Sequence, residues 1–242
     1  MSEQLVGPHF NLALMQKAQQ QGLSAWAAIA KQIRVGMSEA EANALALVVL
    51  SDFGAETNWH PPIIRFGANS CKIYSEASDP GVRLQKSDIF FIDLGPVFEG
   101  HEADIGATFV VGDAPEHKAC AAAVATIFQQ VAMHWQKTGC HGDELYAFAE
   151  QQALALGYQF NQEIKGHRLG DFPHRLYANG SLGDLTGPVR DGIWVLEIQI
   201  RHPKLPIGGF MEQVLFIAAE AAQWCLENVA APFVWVNCKA VV

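Results

Sequence analysis

The sequence predicts an α+β fold, and three features predict it. Helical periodicity fills roughly the first fifty residues. Short β-prone runs then interleave with further helices, and no short-period repeat or low-complexity linker divides the chain. With 242 residues, half of them apolar and 17% charged, the chain is long enough to bury a sizeable core. It reads as a single domain over residues 1–242, with no separate N-terminal domain.

The first helix is expected over residues 9–35, where Leu12, Met15, Ala18, Leu23, Trp26, Ile29, Ala30 and Ile33 recur mostly at helical spacing. A second begins at Ser38, with Glu41 at the capping-box position, and runs to about Phe53, where Gly54 stops it. Strands follow at residues 61–67, 89–95 and 107–112, separated by a turn-rich stretch over residues 69–85. Residues 116–135 and 143–156 are helical, the latter ending at Gly157. Residues 166–192 carry six glycines and two prolines, the composition of an ordered functional loop. Strands at residues 193–200 and 209–217, a helix over residues 218–227 and a final strand over residues 232–236 complete the pattern.

Charge and cysteine content narrow the function. Sixteen Lys and Arg against twenty-five Asp and Glu leave a net charge of −9, which disfavours nucleic acid and anionic membranes as partners. Five cysteines, Cys71, Cys120, Cys140, Cys225 and Cys238, form no C-x-x-C pair, so a reducing cytoplasm is the expected location. No secretory signal and no membrane-length apolar run is present in the sequence.

Two acids stand inside apolar strands: Asp93 in Ile-Phe-Phe-Ile-Asp-Leu-Gly and Glu197 in Trp-Val-Leu-Glu-Ile-Gln-Ile. An ionised carboxylate there costs several kcal/mol unless a positive group compensates it. Asp104 follows Asp93 across a turn containing Gly100, and Glu212 follows Glu197, so two hairpins would pair the four acids. No Lys or Arg lies between Asp88 and Phe109, and only Arg201 and Lys204 lie between the glutamates. A cation is the simplest compensating charge. His167 and His174, in the glycine-rich loop, could add nitrogen ligation. Such an oxygen-rich set suits Mn²⁺, Co²⁺ or Fe²⁺, with Zn²⁺ admissible. Four carboxylates balance two ions with shared bridges better than one, and such pairs activate a bridging water.

The order Asp93, Asp104, His167, Glu197, Glu212 resembles the pita-bread metallopeptidases: methionine aminopeptidase, aminopeptidase P, prolidase and the creatinase relatives. The motifs are Ile92-Asp93-Leu94-Gly95, Ala103-Asp104-Ile105-Gly106-Ala107-Thr108-Phe109, Gly166-His167-x-x-Gly170-x-x-x-His174, Leu196-Glu197 and Met211-Glu212. The segment Pro62–Ser70 is similar to the strand before the active-site loop of the prolidase branch. The resemblance spans about residues 10–220 and implies a curved antiparallel sheet covered by helices. It makes Asp93 a ligand of one metal, Asp104 and Glu212 bridges, and His167 and Glu197 ligands of the other. Glu197 would also assist deprotonation of the bridging water. His174 would sit near the scissile carbonyl, stabilising the tetrahedral intermediate or passing a proton.

Three positions depart from that pattern. Tyr74 stands where the prolidase branch has a substrate-contacting histidine, and is carried over as a substrate-binding residue together with His174. His60 lies upstream, a histidine able in principle to reach the same place. Phe210 replaces an arginine, and Glu197-Ile198 replaces Glu-Pro. No Walker loop, G-x-G-x-x-G or G-x-S-x-G motif competes, and Cys71 has no evident partner base. The reading is a metal-dependent hydrolase that cleaves an N-terminal peptide or dipeptide bond, acting as a monomer or homodimer on a small peptide or amide. The alternatives are a hydrolase of another small C–N substrate and a catalytically silent relative.

Overall fold

The computed structural model describes residues 3–174, 180–189 and 192–215. Three helices open the chain: α1 (Glu3–Val6), α2 (Leu12–Ala30) and α3 (Glu39–Asp52). Four strands follow, β1 (Thr57–Phe66), β2 (Asp88–Phe98), β3 (His101–Glu102) and β4 (Ile105–Val111). The helix pair α4 (Pro115–Thr138) and α5 (Gly142–Ala155) leads to β5 (Gln159–Phe160), β6 (His167–Leu169), β7 (Ile193–Arg201) and β8 (Gly208–Leu215). The strands form one sheet in the order β1-β2-β4-β8-β7-β5, with β3 on β2 and β6 on β7, and every pairing is antiparallel.

Local chemistry sets the helix ends. The Asn11 side chain accepts hydrogen bonds from the Ala13 and Leu14 amides and starts α2 there, later than the expected residue 9. The apolar period overran the other end, because Ile33 stays buried in the same cluster after the helix has stopped at Ala30. Helix α3 carries the expected capping box: Ser38 accepts from the Glu41 amide and Glu41 accepts from the Ser38 amide.

Two apolar layers hold helices on the sheet. Ile29, Ile33 and Leu50 from the N-terminal helical segment pack on Phe66, Phe90, Ile92, Leu94 and Phe109. Phe128 of α4 and Tyr146 of α5 pack with Leu196 and Ile198 of β7. Side chains alternate along a strand, so the acid between Ile92 and Leu94, and the one between Leu196 and Ile198, must face away from the helices. This alternation puts Asp93 and Glu197 on the opposite face of the sheet.

Two expectations need correction. Strand β1 begins at Thr57 rather than Pro61, a start hidden by polar residues and by Pro61-Pro62. The glycine-rich segment contains strand β6, whose pairing with β7 takes His167 into the sheet. The helix and strand expected over residues 218–227 and 232–236 lie outside the described residues. Among the described residues no helix is long and apolar enough to cross a membrane.

Candidate metal centre

Asp93 lies in β2 opposite Gly106 of β4, and Asp104 lies between β3 and β4. Glu197 and Glu212 are direct partners across the β7–β8 ladder, as the second expected hairpin requires. The two halves join where Gly106 pairs with Glu212. A Cβ on Gly106 would stand 2.4 Å from the Phe210 ring, so only glycine permits that approach. Asp93, Glu197, Glu212, His167, His174 and Tyr74 all line a cavity of about 400 Å³, and Asp104 is fully buried beside them.

Two helices fix two of these acids by their backbones. The buried Gln19 amide of α2 donates to the Asp104 carbonyl at 2.9 Å and accepts from the Asp104 amide at 3.1 Å. The Tyr146 hydroxyl of α5 donates to the Glu197 carbonyl at 3.0 Å and accepts from its amide at 3.3 Å. Neither helix side chain uses the carboxylate of the acid it fixes.

The nearest positive groups are imidazoles. His167 Nε2 is 3.0 Å from Asp104 Oδ2 and 3.8 Å from Glu212 Oε1. His60 Nε2 is 3.4 Å from Asp93 Oδ1 and 3.7 Å from Asp104 Oδ1. His60 thus belongs to the site, delivered by the part of β1 that precedes the expected strand. Trp59 meets the rings of His60, His167 and His174 edge-on at 4.3, 5.0 and 5.2 Å, and its indole N–H donates to the Ala103 carbonyl.

Crowding shifts Asp93, Asp104, Glu197 and Glu212. Burial, opposed by His60, pushes Asp93 up to about 7. Burial also raises Glu197, and raises Glu212 well above the usual carboxylate range, where the charges of Asp104, Asp93 and Glu197 add to it. Asp104 goes the other way: burial would raise it, but His167 and His60 outweigh burial and hold it low. Both imidazoles rise to about 9, because the carboxylates overcome the burial that would lower them.

These residues fit divalent cations. Asp93 Oδ1, both Asp104 carboxylate oxygens and Glu212 Oε2 are buried without a hydrogen bond of proper geometry, so their lone pairs remain to be satisfied. Two donor clusters, His60–Asp93–Asp104 and Asp104–His167–Glu212, each gather their ligand atoms within 4.8 Å, and Asp104 belongs to both.

His174 is placed differently. Its Nδ1 contacts the buried Glu102 carboxylate, and its backbone amide donates to the same group at 3.1 Å. Glu102 escaped the sequence reading, although it shares alternation with Asp104 two residues on. Tyr74 reaches the cavity rim with 71% of its surface exposed. Phe210 is buried against Ile63, Ile73, Phe91 and Ile164, so the wall there is apolar. Burial pushes the Cys71 thiol up, which disfavours a nucleophilic thiolate there.

Comparison with known proteins identifies the family and the fold. The model of metallopeptidase family M24 matches residues 13–196. An Xaa-Pro dipeptidase of Pyrococcus horikoshii is 29% identical over 161 residues, covering 66% of this chain and 45% of its own. The chain thus spans less than half the length of that curated relative. Among solved structures, an X-Pro aminopeptidase from Thermotoga maritima superimposes with a TM-score of 0.72 at 23% identity, covering 87% of this chain and 59% of that one. A prolidase from Pyrococcus furiosus gives 0.73 at 22%, covering 89% and 63%. At such identities the likeness is one of fold, and the fold is the pita-bread sheet with its helical cover.

Proposed function

The chain belongs to metallopeptidase family M24, and from that premise we propose that it is a metal-dependent hydrolase removing the N-terminal residue of a peptide or splitting a dipeptide. One observation carries the reading: the fully buried Asp104 presents two unsatisfied carboxylate oxygens between two imidazole–carboxylate clusters. Asp93, Asp104, His167, Glu197 and Glu212 would hold two divalent ions, Mn²⁺, Co²⁺ or Fe²⁺ by donor chemistry. When bound, the ions would lower the pKa of a shared water and polarise the scissile carbonyl.

The chain's own groups supply the rest. Glu197, raised by burial, is suited to accept the proton that the attacking water gives up. His174 is held at Nδ1 by Glu102, leaving Nε2 to stabilise the developing oxyanion or to protonate the departing amine. Trp59, Ile63 and Ile164 wall the cavity for an apolar substrate side chain, and Tyr74 adds a hydroxyl at its rim.

A second reading has specific support. With Phe210 buried among apolar residues, Lys165 is the one Lys or Arg lining the cavity among the described residues, and Asp184 already engages it at 3.0 Å. Substrates without a free carboxylate near the scissile bond, namely longer peptides or small amides, suit this wall. The unpaired Cys71, Cys120 and Cys140 accord with a cytoplasmic setting.

The test is hydrolysis of a panel of Xaa-Pro dipeptides, longer Xaa-Pro peptides, peptides without proline and their amides by metal-loaded protein. Cleavage at the first bond that disappears on chelation is expected. The peptidase reading fails if loaded protein cleaves no peptide, and cleavage confined to non-peptide amides would replace it with the second.

A further inference from the structure

The pattern carried over from the family uses one imidazole, yet two approach Asp104 and do so in the same manner. His167 Nδ1 is 3.0 Å from the carbonyl of the next residue, Arg168, and its Nε2 faces the acids. His60 Nδ1 is 2.7 Å from the carbonyl of the next residue, Pro61, and its Nε2 likewise faces Asp93 and Asp104. A carbonyl only accepts, so Nδ1 must carry the proton in both rings, and Nε2 is the atom left to donate a lone pair. Metal-binding histidines are commonly oriented in this way, with the second ring nitrogen hydrogen-bonded to a backbone carbonyl.

The backbone is built to aim His60. Its register with β2 breaks on both sides, between Asn58 and His60 and again between His60 and Ile63. Such irregularities re-aim a side chain, and Pro61-Pro62, which lack amide protons, make them tolerable on this edge strand. Opposite His60 stands Gly95, where a Cβ would lie 2.4 Å from the His60 ring and 2.3 Å from the Trp59 indole nitrogen. The missing side chain makes room for both rings. Two donors each about 2.1 Å from one ion stand about 3.0–3.5 Å apart, and the His60–Asp93 separation of 3.4 Å falls within that range.

We propose that His60 is a metal ligand, completing with Asp93 and Asp104 an imidazole–dicarboxylate site that mirrors His167, Asp104 and Glu212. This rests on the metal-dependent reading above and extends it: each half of the centre offers one nitrogen. A centre with two imidazoles favours Co²⁺, Fe²⁺ or Zn²⁺ over Mn²⁺, which prefers all-oxygen surroundings.

The test compares metal-stripped wild type with His60→Gln and His60→Ala, titrated with Co²⁺ and with Mn²⁺ and read by calorimetry and by proton NMR of the Co²⁺ form. Wild type should take up two Co²⁺ and show two hyperfine-shifted exchangeable imidazole protons, one for each Nδ1–H. Each variant should retain one such proton and bind its second Co²⁺ at least about tenfold more weakly, with a smaller loss for Mn²⁺. The two-proton spectrum is read on unmutated protein, so it stands even if a variant folds poorly. A single shifted proton in wild type, or variants that bind both ions as wild type does, would overturn the assignment of His60 while leaving the hydrolase reading intact. Failure of wild type to bind either ion would overturn both.

Discussion

The centre is assembled by two halves of one sheet that solve the same problem with different residues. The half built on β1, β2 and β4 offers His60 and two aspartates, clamped at the Asp104 backbone by Gln19 of α2. The half built on β6, β7 and β8 offers His167 and two glutamates, clamped at the Glu197 backbone by Tyr146 of α5. Electrostatically they part company. Asp104, flanked by both imidazoles, is held ionised, whereas Glu197 and Glu212 face each other across one ladder and are pushed toward their protonated forms. The difference teaches that, without a cation, negative charge settles on Asp104, while Asp93, Glu197 and Glu212 are all pushed toward holding protons. Cations binding between the halves must displace those protons.

The largest expected effect follows from the residue common to both halves. Asp104→Ala should abolish tight binding of both ions in a calorimetric titration with Co²⁺. Its fold should survive, because Gln19 holds the Asp104 backbone rather than its side chain. Retention of two tight sites would break the idea of a shared pivot.

His174 lies outside both donor clusters, so His174→Ala should leave metal uptake unchanged and lower kcat by about 10²–10⁴-fold on whichever substrate the panel identifies. Unaltered kcat would remove His174 from the chemistry. Loss of metal along with activity would make it part of the cation site instead.

The smallest effect is on stability. Asp93 at about 7 and the imidazoles at about 9 all lie above their ordinary values, so the folded ion-free protein holds more protons than the unfolded chain through this range. The contribution of these groups to stability is therefore greatest on the acid side and is lost as pH rises through their folded values. Calorimetric melting of ion-free protein should show Tm falling by a few degrees between about pH 5 and about pH 9. The gap between Co²⁺-loaded and ion-free protein should widen over the same interval. A gap that narrows with pH would contradict the proton–cation exchange.

Much of this is legible in the sequence itself. Acids isolated within runs such as Ile-Phe-Phe-Ile-Asp-Leu-Gly announce themselves, because strand alternation gives them a face opposite the core and apolar neighbours give them no counter-charge. The Glu197–Glu212 ladder pair and the capping box at Ser38 and Glu41 follow from spacing as directly. His60 and Glu102 were not legible in the same way. His60 precedes two prolines in a polar stretch, and its aim depends on register breaks and on the room left by Gly95. Glu102 matters only because the chain returns at His174, seventy-two residues later, to meet it.

By itself, then, the sequence determined the class of fold, the strands that bear the acids and the need for a cation, since these depend on local alternation and on the cost of burying unpaired charge. Only the tertiary structure decided which imidazoles share Asp104, which helices hold the acids by their backbones and which carboxylate orients His174. Those contacts join residues far apart along the chain, and no local periodicity encodes the distance between them.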